Sequence, residues 1–142
     1  MKIPAAVAEW LGTRFRPLTL GQRGERAAVR YLKRQGYKIV AQGERDRLGE
    51  LDLVAVDGRT VVFVEVKTRR AHRKGHPAEM VDQRKQAQLT RLALAYLKRH
   101  GLLENPARFD VVAVTWPNES QPPEIEHIKH AFEAVGRGQM FS

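Results

Sequence analysis

The chain has 142 residues, 42% of them apolar and 29% charged, which fits one compact domain with its own core and excludes a disordered tail or a purely structural repeat. Lysine and arginine number 25 against 16 aspartates and glutamates, and the resulting +9 favours a polyanionic partner over a neutral metabolite. There is no cysteine, so a disulfide framework, an iron–sulfur or cysteine zinc site and a thiol nucleophile are all excluded. Any metal sits on oxygen or imidazole.

Residues 1–18 read as an N-terminal arm. Its apolar run from Ile3 to Ala8 is followed at once by Glu9 and falls short of a signal segment. No stretch approaches the roughly 20 apolar residues of a membrane span, so a cytoplasmic protein is expected. Trp10, Leu11 and Phe15 suit a docking arm, a dimer contact or packing back onto the domain.

The domain itself is expected over 19–135. Arg23 to Gln35 carries Ala27, Ala28, Tyr31 and Leu32 at one-sided helical spacing, with Gly36 as the stop. Tyr37 to Gln42, Leu51 to Val56 and Thr60 to Thr68 read as strands of a meander, with Asp57-Gly58 as a turn signal. Arg69 to Pro77 is too charged and broken for either element. Glu79 to His100 then repeats Val81, Leu89, Leu92, Ala93, Tyr96 and Leu97 at helical spacing before Gly101. Ala107 to Trp116 is a strand, Pro117 to Pro123 a loop, Ile125 to Phe132 a candidate edge strand, and 136–142 a frayed tail. The order αβββαβ predicts an α/β fold, a small mixed sheet flanked by helices, with the fourth strand parallel to the third.

The third strand, Val61-Val62-Phe63-Val64-Glu65-Val66-Lys67, is nearly all apolar, as for a strand covered on both faces, and then ends in two opposite charges. Alternation sends Glu65 and Lys67 to one side and Val64 and Val66 to the other. The second strand carries Asp52 among apolar neighbours. A four-residue turn from Asp57 to Thr60 pairs Val56 with Val61 and sets Asp52 opposite Glu65, whereas a two-residue turn makes them diagonal neighbours. Either arrangement puts Asp52, Glu65 and Lys67 on one face.

Two adjacent carboxylates at the end of a sheet repel and are driven toward protonation unless a cation neutralises them. Mg²⁺ or Mn²⁺ is the natural candidate, a hard ion that takes one or two carboxylates and completes its shell with water and phosphate oxygens. Lys67 beside it would orient or deprotonate a water, or stabilise charge on phosphorus. The competing reading is a salt-bridged cluster, which two acids against one base leave unbalanced.

These residues resemble a known family. Asp52 followed by Glu65-Val66-Lys67 is similar to the D…(D/E)-X-K signature of restriction-endonuclease-like nucleases. Together with Gly21-x-x-Gly24-Glu25, Gly49-Glu50-Leu51-Asp52-Leu53, Phe63 to Arg69, Lys85 and Arg108-Phe109-Asp110, it resembles the YraN family of small bacterial proteins with that fold, from about Gly21 to Val114. One departure is Gly43, where that family usually has asparagine. The resemblance implies phosphodiester hydrolysis with metal ligands Asp52 and Glu65, Lys67 as the catalytic lysine and Glu25 as an additional acidic ligand. An acid favourably placed in a helix's first turn is the competing account of Glu25. Glu50 serves as an outer acid or pairs with Arg47 or Arg69.

Between Val66 and His100 the sequence holds 10 basic and 2 acidic residues, nearly the whole excess charge. Arg69, Arg70, Arg73 and Lys74, with Gly75 for freedom of the loop, suit contacts to a phosphate backbone, and Lys85 near the start of the second helix would approach the same phosphates. Arg23, Arg26, Arg30, Lys33 and Arg34 form a second basic set on the first helix, much of it the solvent face. Gly75 and Pro77 remove a helical zinc pair of His72 and His76; His127 and His130 read as surface or edge residues. The expected partner is nucleic acid, DNA first, and a homodimer is compatible with the resemblance. The alternatives are a nuclease-like module that binds nucleic acid without cutting, and a small basic protein that binds RNA by charge alone.

Overall fold

Thr19 opens the principal N-terminal helix: its hydroxyl accepts from the Gln22 amide while the Gln22 side chain accepts from the Thr19 amide, a reciprocal capping box. The computed structural model describes residues 2–14, 17–70 and 76–136. Phe15 of the arm, His72 and the expected tail beyond 136 lie outside the described residues. The arm contains a helix of its own, α1 (Ala5–Arg14), which the interrupted apolar pattern does not announce. The capped helix, α2 (Leu20–Arg34), begins three residues earlier than its apolar spacing suggests, because the cap and not the first buried side chain sets the start.

Five strands follow the expected order: β1 (Lys38–Asp46), β2 (Gly49–Asp57), β3 (Thr60–Arg70), β4 (Ala107–Trp116) and β5 (Glu124–Phe132). They form one sheet in the order β1-β2-β3-β4-β5. β3 and β4 are parallel and the other neighbours antiparallel. Between β3 and β4 the chain makes a 3₁₀ turn, Pro77–Met80, and then α3 (Gln83–Arg99). This helix starts at Gln83 and not at Glu79, since the Asp82 carboxylate accepts from the Lys85 amide and caps it there.

The two long helices cover opposite faces of the sheet. Ala27, Ala28 and Leu32 of α2 pack on Leu53, Ala55, Val62, Val64, Val112 and Val114. Leu89, Leu92, Ala93 and Leu97 of α3 pack on Val54, Val61, Phe63, Phe109 and Val111. Each fully buried Leu or Phe contributes roughly 1.5–3 kcal/mol, so both faces are held by several such residues. Among the described residues no helix is long and apolar enough to cross a membrane.

Two local features shape the region around Asp52. Gly24 of α2 lies so close to β3 that a Cβ there would collide with the Thr68 side chain; only glycine allows the helix to sit down on the strand. In β2, Leu51 joins the core under α3 while Leu53 and Ala55 join the core under α2. Strict alternation would keep all three on one face, so the strand changes facing at Asp52.

Candidate functional site

The β2–β3 register pairs Val56 with Val61 and Asp57 with Thr60, as the four-residue turn predicts, and the paired residues run back to Leu53 opposite Val64. One step further the strands diverge. There the Val66 amide donates to the Asp52 carboxylate at 2.9 Å, a side chain standing in for a strand partner.

The change of facing at Asp52 turns its carboxylate toward α2. Glu25, Glu50 and Asp52 each offer an oxygen within 4.8 Å of the others. Glu25 sits in the second turn of α2, and that helix has no acid in its first turn, so dipole complementarity does not account for it. Glu50 is held on its other side by Arg45 at 2.7 Å, in place of the expected Arg47 or Arg69. Gly43 of β1 has φ 60°, and a Cβ there would stand 3.3 Å from Glu50 Oε1. Left-handed backbone of this kind is accepted by glycine and asparagine alike.

Glu65 completes the set from β3. It is buried, only 7% exposed, and its Oε2 has no hydrogen-bond partner. Its Oε1 lies 3.8 Å from Lys67 Nζ and 4.0 Å from Lys85 Nζ. Burial and the Asp52 charge push the Glu65 pKa up to about 7 against the pull of the two lysines. Asp52 is also raised, mainly by burial, although the Val66 amide works in the opposite sense. Glu25 is raised by burial and by Asp52 and Glu50.

Glu25, Glu50 and Asp52 therefore form one group, while Glu65 stands outside it with Lys67 and Lys85 and joins it through Asp52, whose side chain interacts with that of Glu65. A closed salt-bridge cluster is not what the geometry gives: the lysines stand at the outer limit of ion-pair distance from one oxygen and leave the other bare. An all-oxygen donor set with an unpartnered buried carboxylate oxygen fits a hard divalent cation.

Around this set lie the basic residues. Arg84, Lys85 and Arg91 line a depression of about 360 Å³ with Leu48, Asp82 and Gln88. Arg69 Nε donates to Thr115 Oγ1 at 3.0 Å, which holds it along the sheet. Arg70 pairs with Glu119 at 2.9 Å, but both side chains are exposed, so the pair is weak and open to exchange for a phosphate. Arg73 and Lys74 lie outside the described residues.

A second polar cluster has almost no signature in the sequence. Asp110 of β4 is fully buried and accepts from Arg108 at 3.0 Å and from the His130 amide at 3.0 Å. His127 Nε2 stands 2.7 Å from it and its Nδ1 3.2 Å from the Tyr31 hydroxyl. His127 is thus no surface residue: its side chain is 4% exposed. Arg108 and Asp110, two apart on one strand, share a face, and that spacing was the available signal. His127 gave none, since its partners come from other elements.

Comparison with known proteins gives a consistent picture. The sequence model of the uncharacterised protein family UPF0102 matches residues 24–114, which span Glu25, Glu50, Asp52, Glu65, Lys67 and Lys85. A UPF0102 protein of Rhodopirellula baltica is 54% identical over 120 residues, covering 82% of this chain and 72% of the relative. One from Geotalea uraniireducens is 50% identical over 115 residues, 81% of this chain and 90% of its own. One from Geobacter sulfurreducens is 51% identical over 114 residues, covering 80% and 88%.

Proposed function

We propose that this chain, which belongs to the uncharacterised protein family UPF0102, the YraN family of the sequence resemblance, is a metal-dependent nuclease that binds DNA and hydrolyses its phosphodiester bonds. The observation that carries this is the bare, buried Glu65 Oε2 beside Asp52, with Glu25 and Glu50 close to Asp52 and two lysines at the rim. The strand order and the Asp52, Glu65-x-Lys67 set support a restriction-endonuclease-like fold as the frame.

Asp52 and Glu65 would hold a Mg²⁺ or Mn²⁺ ion, with Glu25 as a further ligand and Glu50 at its margin. Such an ion supplies Lewis-acid polarisation of a phosphoryl oxygen and a water of lowered pKa. The chain's own residues do the rest. The Val66 amide fixes the Asp52 carboxylate, so this acid needs no reorganisation when substrate arrives. Lys67, with a quarter of its side chain exposed, reaches the opening and can orient a water or stabilise charge on the phosphoryl oxygens. Lys85 and the arginines beside it hold the backbone without reading its sequence.

The test is cleavage of labelled linear duplex, flap, four-way junction and single strand with Mn²⁺, Mg²⁺ or EDTA, comparing wild type with Glu65→Gln. Metal-dependent cutting that disappears in the variant is the expected result. Binding without cutting in any metal would overturn the catalytic reading and leave a non-catalytic nucleic-acid-binding module.

A further inference from the structure

Four arginines on the sheet and α3 are answered by carboxylates: Arg45 by Glu50, Arg70 by Glu119, Arg99 by Glu44, and Arg108 by Asp57 and Asp110. Arg23, Arg26 and Arg30 of α2 form no ion pair with a described residue, and neither do Arg84 and Arg91 of α3. The three α2 arginines stand at i, i+3 and i+7, one stripe of the helix about 10 Å long. A run of unneutralised guanidinium groups on a single stripe repels itself, which makes it a costly surface unless an anion lies along it.

The stripe is also shaped. Arg23, Arg26 and Arg30 line a depression of about 270 Å³ with Trp116 and Pro123. Arg26 and Arg30 line a second, of about 340 Å³, with Val29 and Gln42. Arg23 stacks over the Trp116 ring at 4.7 Å, and that ring is itself buried, so the guanidinium plane is held in place while its edge stays free to donate. Guanidinium groups suit phosphate because their forked donors engage two oxygens at once.

Position relative to the acids gives the stripe its meaning. Glu25 of the acidic cluster directly precedes Arg26 on the same helix. On the opposite face of the sheet, Lys85 stands 4.0 Å from Glu65 and lines the depression that holds Arg84 and Arg91. The acids thus lie between two cationic depressions, one beside α2 and one beside α3. A single strand needs one such track; two tracks on opposite faces match the two backbones of a duplex.

We propose that the Arg23–Arg26–Arg30 row is a phosphate-binding track for the second strand of double-stranded DNA, whose first strand passes Lys85, Arg84 and Arg91. The choice of DNA rests on the nuclease reading, but the track is a binding surface and its test requires no cutting.

The experiment uses the full chain in EDTA, with fluorescence anisotropy of a labelled 20-base-pair duplex and of one of its strands over a range of salt. The triple variant Arg23→Gln, Arg26→Gln, Arg30→Gln is compared with the triple replacement by lysine. Removing three phosphate contacts should lower the slope of log K against log salt by about 2.7 for the duplex, at about 0.9 per contact. Duplex affinity near 0.1 M salt should fall by about tenfold or more, with a much smaller loss for the single strand and most of the slope kept by the lysine triple. An unchanged duplex slope in the glutamine triple overturns the proposal, and so does an equal loss for single strand, or an equal loss in the lysine triple. Arg26→Gln with Arg30→Gln, both on the accessible side of α2, carries the same test if the triple variant melts early. Absence of cleavage in every metal would remove the nuclease reading and leave this result standing.

Discussion

The Val66 amide donates to the Asp52 carboxylate at 2.9 Å, beyond the last backbone pair of β2 and β3, Leu53 with Val64. A carboxylate that substitutes for a backbone partner is fixed by the fold before any ligand arrives. Asparagine can still accept that hydrogen bond but carries no charge. On the proposed nuclease reading, Asp52→Asn should therefore keep the thermal stability of the protein and its DNA affinity to within about threefold, while cleavage drops by about 100-fold or more. Lys67→Ala should behave alike. Cutting at the wild-type rate by either variant, measured on the labelled duplex, would remove these residues from the active site.

Glu65 makes the stability of the fold depend on pH. Its folded-state pKa of about 7 lies above the ordinary 4.5, so its neutral form is the one the fold prefers. The associated stability is complete below pH 4.5 and is lost as pH rises through 7. From the size of that shift the loss is about 3 kcal/mol. Thermal melts in EDTA should fall between pH 5 and pH 8 for wild type and fall markedly less for Glu65→Gln, in which only the raised Asp52 and Glu25 still titrate. Mn²⁺ at pH 8 should restore the wild type and leave the variant unmoved. A flat wild-type profile would contradict the proposed burial of this acid.

Gly24→Ala places a methyl group against Thr68. Overpacking of this kind costs roughly 1–3 kcal/mol, read as an earlier denaturant midpoint. Thr68→Ala removes the two nearest of those atoms, so in a double-mutant cycle it should recover part of the loss. Additive effects would mean that the helix and strand do not touch there.

Asp110 behaves in the opposite sense to Glu65. Burial alone would raise its pKa, but hydrogen bonds from His127, Arg108 and the His130 amide outweigh this and hold it below the usual 3.8. Its contribution is present above pH 3.8 and is lost as pH falls through the lower folded-state value. Asp110→Asn takes the buried carboxylate from Arg108, which keeps Asp57, so the loss is that of a charged hydrogen bond, about 1.5–3 kcal/mol. Urea titration at pH 7 should show that loss, and the variant should be less sensitive to acid than wild type.

Much of this was legible in the sequence because it rests on local patterns. Val61 to Val66 reads as a strand covered on both faces, and either even-length turn after Asp57 brings Asp52 near Glu65; the structure has the register of the four-residue turn as far as Leu53 and Val64. The facing of Asp52 was not legible, because alternation is a rule for regular strands and β2 departs from it at that residue. Glu50, which the sequence leaves as an outer acid or a partner of Arg47 or Arg69, stands beside Glu25 and Asp52 in the fold and pairs with Arg45. The starts of α2 and α3 differ from their apolar spacing for a related reason: that spacing marks which side chains are buried, whereas the caps at Thr19 and Asp82 set where each helix begins. His127 lay beyond reach altogether, since Asp110 and Tyr31 are far from it along the chain.

α2 is held along its length, by Gly24 resting on Thr68, by Ala27, Ala28 and Leu32 in the core and by Tyr31 meeting His127 about 10 Å from the first contact. Glu25 sits one residue from the Gly24 contact, where any tilt of the helix moves it least. The acid is thus anchored at the firm end of its lever, and a disturbance at β5 would loosen the far end of α2 before it reached Glu25.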